Sequence, residues 1–235
     1  MKSDRDVMTR RCFLKTSTQV SALAGLSAAT QAYAAGTDRI RVGLVGCGGR
    51  GTGAARDALM AGANIELKAM GDIFMPKVKS SLARLSKLKA DNPNLQNSIK
   101  VTPDRCFAGL DAFRKVIDSG IDYVLLCTPP GFRPDHIEYA VKKGVHIFAE
   151  KPCATDSPGV RRILALEPEM KRKGIALLSG FNSRHVFHYA DLVKALQNGE
   201  LGEIMSMHAY FNTGNIWYRE REPGMTLPQY HFHNW

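Results

Sequence analysis

Short apolar runs alternate with amphipathic segments between residues 39 and 179 of this 235-residue chain. Runs rich in Val, Ile and Leu predict buried strands over residues 40–45, 65–70, 123–127, 145–149 and 175–178. Between them, apolar residues recur at helical spacing, as in the segment 135–143, which Gly144 ends. This alternation of strands and helices predicts an α/β fold with a doubly wound parallel sheet.

The pattern changes after residue 181. Residues 185–197 have the spacing of an amphipathic helix, and its apolar face carries Phe187, Leu192, Val193 and Leu196. Residues 204–211 alternate in the manner of a half-buried strand, and an irregular aromatic tail follows. We therefore expect a domain boundary near residue 180 and the beginning of an incomplete α+β domain over residues 181–235.

A glycine-rich loop lies directly behind the first predicted strand. It reads Gly46-Cys47-Gly48-Gly49-Arg50-Gly51, and small apolar residues at helical spacing follow it. In a G-x-G-x-x-G loop the first glycine permits a tight turn, the second lets a pyrophosphate approach the backbone, and the third allows close helix–strand packing. This context predicts a Rossmann-type NAD(P)-binding domain over residues 35–180. The candidate cofactor-binding residues of the loop are Gly46, Gly48, Gly49, Arg50 and Gly51.

An acidic residue follows the second predicted strand. Asp72 lies 26 residues after Gly46 (72 − 46), close to the spacing of a carboxylate that binds the adenosine ribose. An ordinary acidic residue in a strand-to-helix loop is the alternative. No Arg or Lys immediately follows Asp72 to bind a 2′-phosphate, so NAD is favoured, while Lys77 and Lys79 leave NADP open.

The first 34 residues have the order of a secretory signal. Arg10 and Arg11 precede a mildly apolar stretch over 20–29, and Ala32-Tyr33-Ala34 offers a small-residue cleavage site. The arginine pair resembles the twin-arginine type. An uncleaved anchor is the alternative, but polar residues interrupt 17–34, and no other segment is apolar enough for a stable membrane span. We therefore expect residues 1–34 to direct export through the twin-arginine machinery, to the periplasm or otherwise out of the cytoplasm.

The charge and the cysteine content bear on three further features: a nucleic-acid partner, a metal site and disulfide bonds. The formal net charge is +10, but the lysines are dispersed, and the clustered arginines with interleaved aromatics of a nucleic-acid site are missing. We therefore expect no nucleic-acid partner. The cysteines beyond the predicted signal are Cys47, Cys106, Cys127 and Cys153. None forms a C-x-x-C pair and no histidine-rich segment accompanies them, so we expect no metal site and favour passive side chains over disulfides.

Two further segments follow predicted strands, at the edge where open α/β sheets bind ligands. One is Cys127-Thr128-Pro129-Pro130 with His136 behind it, and the other is Ala149-Glu150-Lys151-Pro152-Cys153-Ala154. Together with Gly180-Phe181-Asn182-Ser183-Arg184, they resemble the glucose–fructose oxidoreductase and inositol dehydrogenase family (Gfo/Idh/MocA). The resemblance extends from about residue 39 to residue 235.

The resemblance implies roles for individual residues. Thr128 and Pro129 flank the cofactor, and Glu150 and Lys151 lie by the nicotinamide ribose. Lys151 is the implied catalytic residue, because an amine beside the reacting carbon can accept the hydroxyl proton or stabilise an alkoxide-like oxygen.

His136 and Arg184 are further cofactor-binding candidates. The alternative for His136 is a side chain packed on the sheet at the start of a helix. The alternative for Arg184 is a salt bridge. Neither choice follows from the sequence.

The resemblance implies an exported NAD(P)-dependent oxidoreductase that transfers hydride between the cofactor and a sugar, polyol or related hydroxylated metabolite. An NAD-dependent glycoside hydrolase and a non-catalytic nucleotide-binding fragment are the alternatives. Members of the family complete their site from a second domain, most of which this sequence lacks. We therefore expect the 235-residue chain alone to bind NAD weakly and to lack dehydrogenase activity. A full-length protein is compatible with a homo-oligomer.

Overall fold

The computed structural model describes residues 39–62, 64–92, 98–214 and 218–234. The segment predicted as a signal, residues 1–34, lies outside the described residues. The first strand, β1 (Ile40–Val45), has four consecutive buried residues at its end, as expected for a strand covered by helices on both faces. Its one charged residue, Arg41, lies at the exposed start and pairs with Asp122 at 2.5 Å.

Six parallel strands form one sheet. They are β1 (Ile40–Val45), β2 (Ile65–Asp72), β3 (Cys106–Ala108), β4 (Tyr123–Leu126), β5 (His146–Ala149) and β6 (Leu177–Ser179). Their order is β3-β2-β1-β4-β5-β6, and β1 lies between β2 and β4, with Val42 opposite Leu67 on one side and Tyr123 on the other. This is the strand order of a Rossmann-type doubly wound fold, so the predicted fold class is confirmed. The short strand β3 has no counterpart among the predicted runs.

Eight α-helices occur in the described part of the chain. They are α1 (Gly49–Met60), α2 (Met75–Asp91), α3 (Ala112–Ile117), α4 (Arg133–Lys143), α5 (Ser157–Leu164), α6 (Glu167–Lys173), α7 (Phe187–Gln197) and α8 (Leu227–His233). Gly144 ends α4 with a φ of 78°, as predicted. Asp156 caps α5, because its carboxylate accepts a hydrogen bond from the Gly159 amide at 2.7 Å.

The core has one layer on each face of the sheet. On one face, α1 and α2 cover β1 and β2 through Leu44, Ala55, Leu59, Leu67, Val78 and Leu85. On the other face, α3 and α4 cover the central strands through Val116, Ile117, Val124, Ile137, Ala140 and Val141. The central strands are thereby covered on both faces, whereas Leu178 of the edge strand β6 is 49% exposed. The carboxyl edge of the sheet is left as the place for a site.

The chain after residue 181 packs differently. Helix α7 forms where a helix was predicted, but Phe187, Leu192 and Val193 of its apolar face are exposed, and Phe187 retains 86% of its accessible surface. The strand predicted over residues 204–211 is wrong, since these residues, all described, form neither helix nor strand. A strand needs a neighbour for its backbone hydrogen bonds, and no described residue after 179 joins the sheet. None of the described helices has the length and apolar character needed to cross a membrane.

Candidate functional site

A cleft of about 280 Å³ opens at the carboxyl edge of the sheet. It lies where β1 and β4 diverge into different loops, which is the ligand-binding position of open α/β sheets. Its walls are Gly46, Gly48, Gly49, Arg50, Gly51, Asp72, Ile73, Phe74, Lys77, Cys127, Thr128, Pro129, Arg219, Phe232 and His233. Eight of the predicted cofactor-binding residues therefore lie around one cleft: Gly46, Gly48, Gly49, Arg50, Gly51, Asp72, Thr128 and Pro129.

The glycine loop forms an open concave surface, the cradle, at the start of α1. Gly46 has a φ of 95°, and a Cβ on Gly51 would lie 1.8 Å from the Gly46 carbonyl oxygen, so both positions require glycine. Apart from their chain neighbours and the backbone of α1, no heavy atom of the described residues lies within 4 Å of the place where a Cβ of Gly48 or Gly49 would stand. Gly48 also offers no side chain to cap the helix. The open space and the helix N-terminus fit the pyrophosphate of a dinucleotide.

Asp72 ties the second strand to the glycine loop. Its Oδ2 accepts a hydrogen bond from the Cys47 amide at 2.8 Å, and its Oδ1 accepts one from the Phe74 amide at 3.0 Å. Each carboxylate oxygen keeps a further lone pair that can accept from a ribose hydroxyl. Lys77 lies on the same wall, with its Nζ 5.1 Å from the centre of the Phe74 ring.

The E-K-P loop, Glu150 to Pro152, follows β5 and contacts the glycine loop through an ion pair. Glu150 is buried, and its Oε1 accepts a hydrogen bond from Nε of Arg50 at 2.6 Å. This pair joins two loops that are 100 residues apart in sequence. Lys151 is exposed, and its peptide bond with Pro152 is cis. The sequence proposed a cofactor role for Arg50 and Glu150 separately, but it did not predict that they bind each other.

His136 lies behind the T-P-P loop, Thr128 to Pro130, and does not line the main cleft. Its Nδ1 is 3.2 Å from Thr128 Oγ1, and its ring stacks on Phe113 with 4.1 Å between centroids. Burial lowers the pKa of His136 to about 4, so the imidazole is neutral near pH 7. These are the contacts of a side chain that packs on the sheet, which was the alternative to a cofactor-binding role. His136 is connected to the cleft through its contact with Thr128.

Arg184 is not among the residues that line the cleft. Its guanidinium carbon lies 5.9 Å from the centre of the Phe181 ring. Four predicted site residues therefore lie outside the cleft wall: His136, Glu150, Lys151 and Arg184. Glu150 lies next to the wall through its ion pair with Arg50, and Lys151 follows it in the chain.

The aromatic end of the cleft was missed by the sequence analysis. Phe74 contacts His233 with 4.6 Å between ring centroids, and Phe132 contacts Phe232 at 5.8 Å. These pairs join the loops of the sheet to α8, and Phe132 and Phe232 are 100 residues apart in the chain (232 − 132). No local motif identifies such contacts, because they depend on where the chain returns.

Among the thiols near the site, Cys47 is buried, while Cys127 and Cys153 are half-buried. Burial and the nearby Glu150 charge raise the pKa of Cys127 to about 12, and burial raises the pKa of Cys47 well above its usual value. Cys47 Sγ donates to the Gly71 carbonyl at 3.4 Å. The four described cysteines are free thiols.

Comparison with known proteins adds independent information. The sequence model of the Gfo/Idh/MocA group, an oxidoreductase family with an NAD-binding Rossmann fold, matches residues 40–177. An inositol 2-dehydrogenase from Rhizobium meliloti (strain 1021) is 30% identical over 165 residues, which is 70% of this chain and 43% of that protein. The chain thus spans less than half the length of this relative.

Two solved structures share the fold. A scyllo-inositol dehydrogenase from Lactobacillus casei, with bound NAD(H) and scyllo-inositol, matches 70% of this chain and 43% of its own, with a TM-score of 0.54 and 22% identity. A 3-ketoreductase from Actinomadura kijaniata, in complex with TDP-benzene and NADP, matches 71% of this chain and 46% of its own, with a TM-score of 0.52 and 24% identity.

Proposed function

Because this chain belongs to the Gfo/Idh/MocA oxidoreductase family, we propose that the protein is a dehydrogenase of a sugar, polyol or related hydroxylated metabolite. The observation that carries this proposal is the joining of two loops at one cleft. The Arg50–Glu150 pair brings the E-K-P loop against the cradle of the glycine loop. This contact supports the proposal that the cradle and Lys151, which follows Glu150 and lies outside the cleft wall, serve one site.

The residues around the cleft fit NAD. In this proposal the backbone amides at the start of α1 bind the pyrophosphate, and Asp72 accepts hydrogen bonds from ribose hydroxyls. Thr128 and Pro129 form the wall beside the nicotinamide half. When bound, the cofactor supplies the hydride acceptor.

Lys151 is the residue that we propose for proton transfer. Its side chain is exposed, next to a buried and ion-paired Glu150, so the amine is free to meet a substrate hydroxyl. As a neutral amine it accepts the hydroxyl proton when the carbinol is oxidised, and as an ammonium it returns that proton in the reverse direction.

The substrate class rests on the relatives. The Rhizobium meliloti relative is an inositol 2-dehydrogenase, and the Lactobacillus casei structure holds scyllo-inositol. We therefore propose a cyclic polyol or sugar as the substrate. These relatives are named for oxidoreduction, so the comparisons do not favour the glycoside hydrolase alternative.

Turnover of NAD with a panel of inositols and sugars, by a form of the protein that carries a complete second domain, tests the proposal. We expect Lys151→Ala to keep NAD affinity and to lose about 100-fold or more in kcat. Lys142→Ala, which removes an exposed lysine from α4, is the matched control and should turn over normally. Near-normal turnover in Lys151→Ala would remove the proton-transfer role. NAD binding without turnover of any panel member would favour the non-catalytic alternative.

We also propose that residues 1–34 form a twin-arginine signal, that residues 35–180 form the cofactor domain, and that a second domain begins at residue 181. The support for export is the Arg10-Arg11 pair and the Ala32-Tyr33-Ala34 site. Replacement of both arginines by lysine should leave the protein in the cytoplasm. Unchanged export of that variant would exclude the twin-arginine route.

A further inference from the structure

Arg133 is a buried arginine that the proposed function does not use. It is the first residue of α4, and only 2% of its surface is accessible. Among the described residues, Arg133 and Glu150 are the charged side chains that are this deeply buried. Glu150 has an arginine partner, whereas no carboxylate lies within salt-bridge distance of the Arg133 guanidinium in the described part of the chain.

The Arg133 guanidinium donates to two backbone carbonyls in two different loops. Its Nη2 donates to the Thr128 carbonyl oxygen at 2.7 Å, and its Nη1 donates to the Pro152 carbonyl oxygen. Thr128 follows β4 and Pro152 follows β5, and these two strands are neighbours in the sheet. One planar side chain therefore joins the T-P-P loop to the E-K-P loop.

The burial of this guanidinium is costly. Burial lowers the pKa of Arg133, and its Nε is buried with no hydrogen-bond partner among the described residues. An unpaired buried donor and a charge without a carboxylate both destabilise a fold. A hydrophobic residue would avoid both costs, so the two carbonyl contacts are the evident gain from an arginine at this position.

A second arginine holds the other end of the same loop. Arg50 binds Glu150 from the side of the glycine loop, and Arg133 binds Pro152 from the side of the T-P-P loop. Lys151 lies between these two fixed residues and is itself exposed. The loop is thus fastened on both sides of the residue that we assign to proton transfer.

We propose that Arg133 is a positioning residue that fixes the E-K-P loop against the T-P-P loop and thereby sets the place of Lys151. The consequence for turnover rests on the proposed function. The fastening of the loop does not, because it can be measured in the absence of cofactor.

Two substitutions of Arg133 distinguish the effect of its positive charge from the effect of its planar hydrogen-bonding group. Arg133→Met removes both hydrogen bonds, while Arg133→Lys keeps the charge but replaces a planar group that binds two carbonyls by a single ammonium. Arg162→Met is the matched control, because Arg162 is an exposed arginine that pairs with Asp135 and Glu138 of α4 and contacts neither loop.

Cys153 reports on the loop directly. It follows Pro152 and is half-buried, with its Sγ 3.4 Å from Ser179 Oγ. Cys106 is half-buried on the distant edge strand β3, so it reports on general loosening of the fold. In each variant a thiol reagent is applied without cofactor, and peptide mapping gives the labelling rate at each cysteine.

We expect Cys153 to label about tenfold or more faster in Arg133→Met, since hydrogen bonds from a charged donor are lost. Arg133→Lys should give a smaller increase in the labelling rate of Cys153. The labelling rate of Cys106 should not change in either variant, and both rates in Arg162→Met should match those of the wild type. An unchanged rate at Cys153 in both Arg133 variants would overturn the proposal. An equal increase at Cys106 would also overturn it, because Arg133 would then support the fold in general. If Arg133→Met does not fold, the Arg133→Lys result alone decides.

The kinetics of a form of the protein that carries a complete second domain then test the consequence for Lys151. We expect Arg133→Lys to lose about tenfold or more in kcat, because a small displacement of a catalytic group is costly, while its affinity for ADP-ribose stays within about twofold. Equal losses for ADP-ribose binding and for kcat would contradict a role limited to the E-K-P loop. Absence of turnover in the wild type, with faster Cys153 labelling in the variants, would contradict the proposed function and leave the loop contact established.

Discussion

The two parts of this chain on either side of residue 180 differ in how apolar residues are used. In residues 39–180, strands and helices bury residues such as Leu44, Val124 and Ile147 completely. In the described residues after 180, Phe187, Met205 and Phe211 each expose more than two thirds of their surface. Both parts have apolar residues at regular spacing, but only the first has a sheet on which to pack them.

The difference shows that spacing predicts an element, while burial depends on a partner. Helix α7 forms from its local sequence, since a helix makes its own backbone hydrogen bonds. The strand predicted over 204–211 does not form, because the backbone groups of a strand need hydrogen-bond partners on a neighbouring strand. In residues 39–180 each predicted strand has such a neighbour in the sheet.

A matched pair of leucine substitutions tests whether apolar residues contribute more to stability before residue 180 than after it. Leu44→Ala empties a fully buried position of β1 and should lower the free energy of unfolding by about 3 kcal/mol. Leu201→Ala changes a leucine that is 65% exposed and should cost less than about 0.5 kcal/mol. Urea unfolding of both variants measures the difference. Similar losses would show that the later part of the chain buries its apolar residues in solution.

The same distinction explains how far the sequence predicts the fold. The glycine loop, Asp72 at the end of β2 and Gly144 at the end of α4 all follow from local rules, and they lie where expected. Strand β3 has only three half-buried residues, so it carries no apolar run that identifies it. It forms because the end of β2 offers Met70, Gly71 and Asp72 as partners.

A pH experiment sharpens the contrast between buried and exposed histidines. Burial holds the pKa of His136 at about 4, below the ordinary value of 6.5. Above pH 6.5 the ring is neutral in both states. As the pH falls from 6.5 towards 4, the unfolded chain binds a proton that the folded protein excludes, so stability falls.

This His136 contribution should reach about 2 kcal/mol at pH 5. His136→Gln should remove it, so that the wild type loses more stability than the variant between pH 7 and pH 5. His188→Gln, at an exposed position of α7, should behave as the wild type. Identical pH dependence of the wild type and His136→Gln, measured by urea unfolding, would show that His136 is not buried as described.

The site was less predictable than the fold. Glycines, Asp72, Thr128 and Pro129 follow directly from strand ends, and parallel strands bring their ends to one edge. Arg133 could not be identified, because an arginine at a helix start is typical of a surface residue and its burial depends on two distant loops. Phe232 and His233 reach the cleft only because α8 returns to it.

Residues from both parts of the chain line this cleft. The central claim of the account is that the cleft binds NAD. Asp72 should accept hydrogen bonds from ribose hydroxyls and repel a 2′-phosphate, while Lys77 on the same wall reduces the discrimination.

Calorimetric titration of the protein with NAD and with NADP tests this claim most directly. We predict that NAD binds, and that it binds about tenfold more tightly than NADP, which corresponds to about 1.4 kcal/mol. Tighter binding of NADP, or no binding of either dinucleotide, would contradict the account.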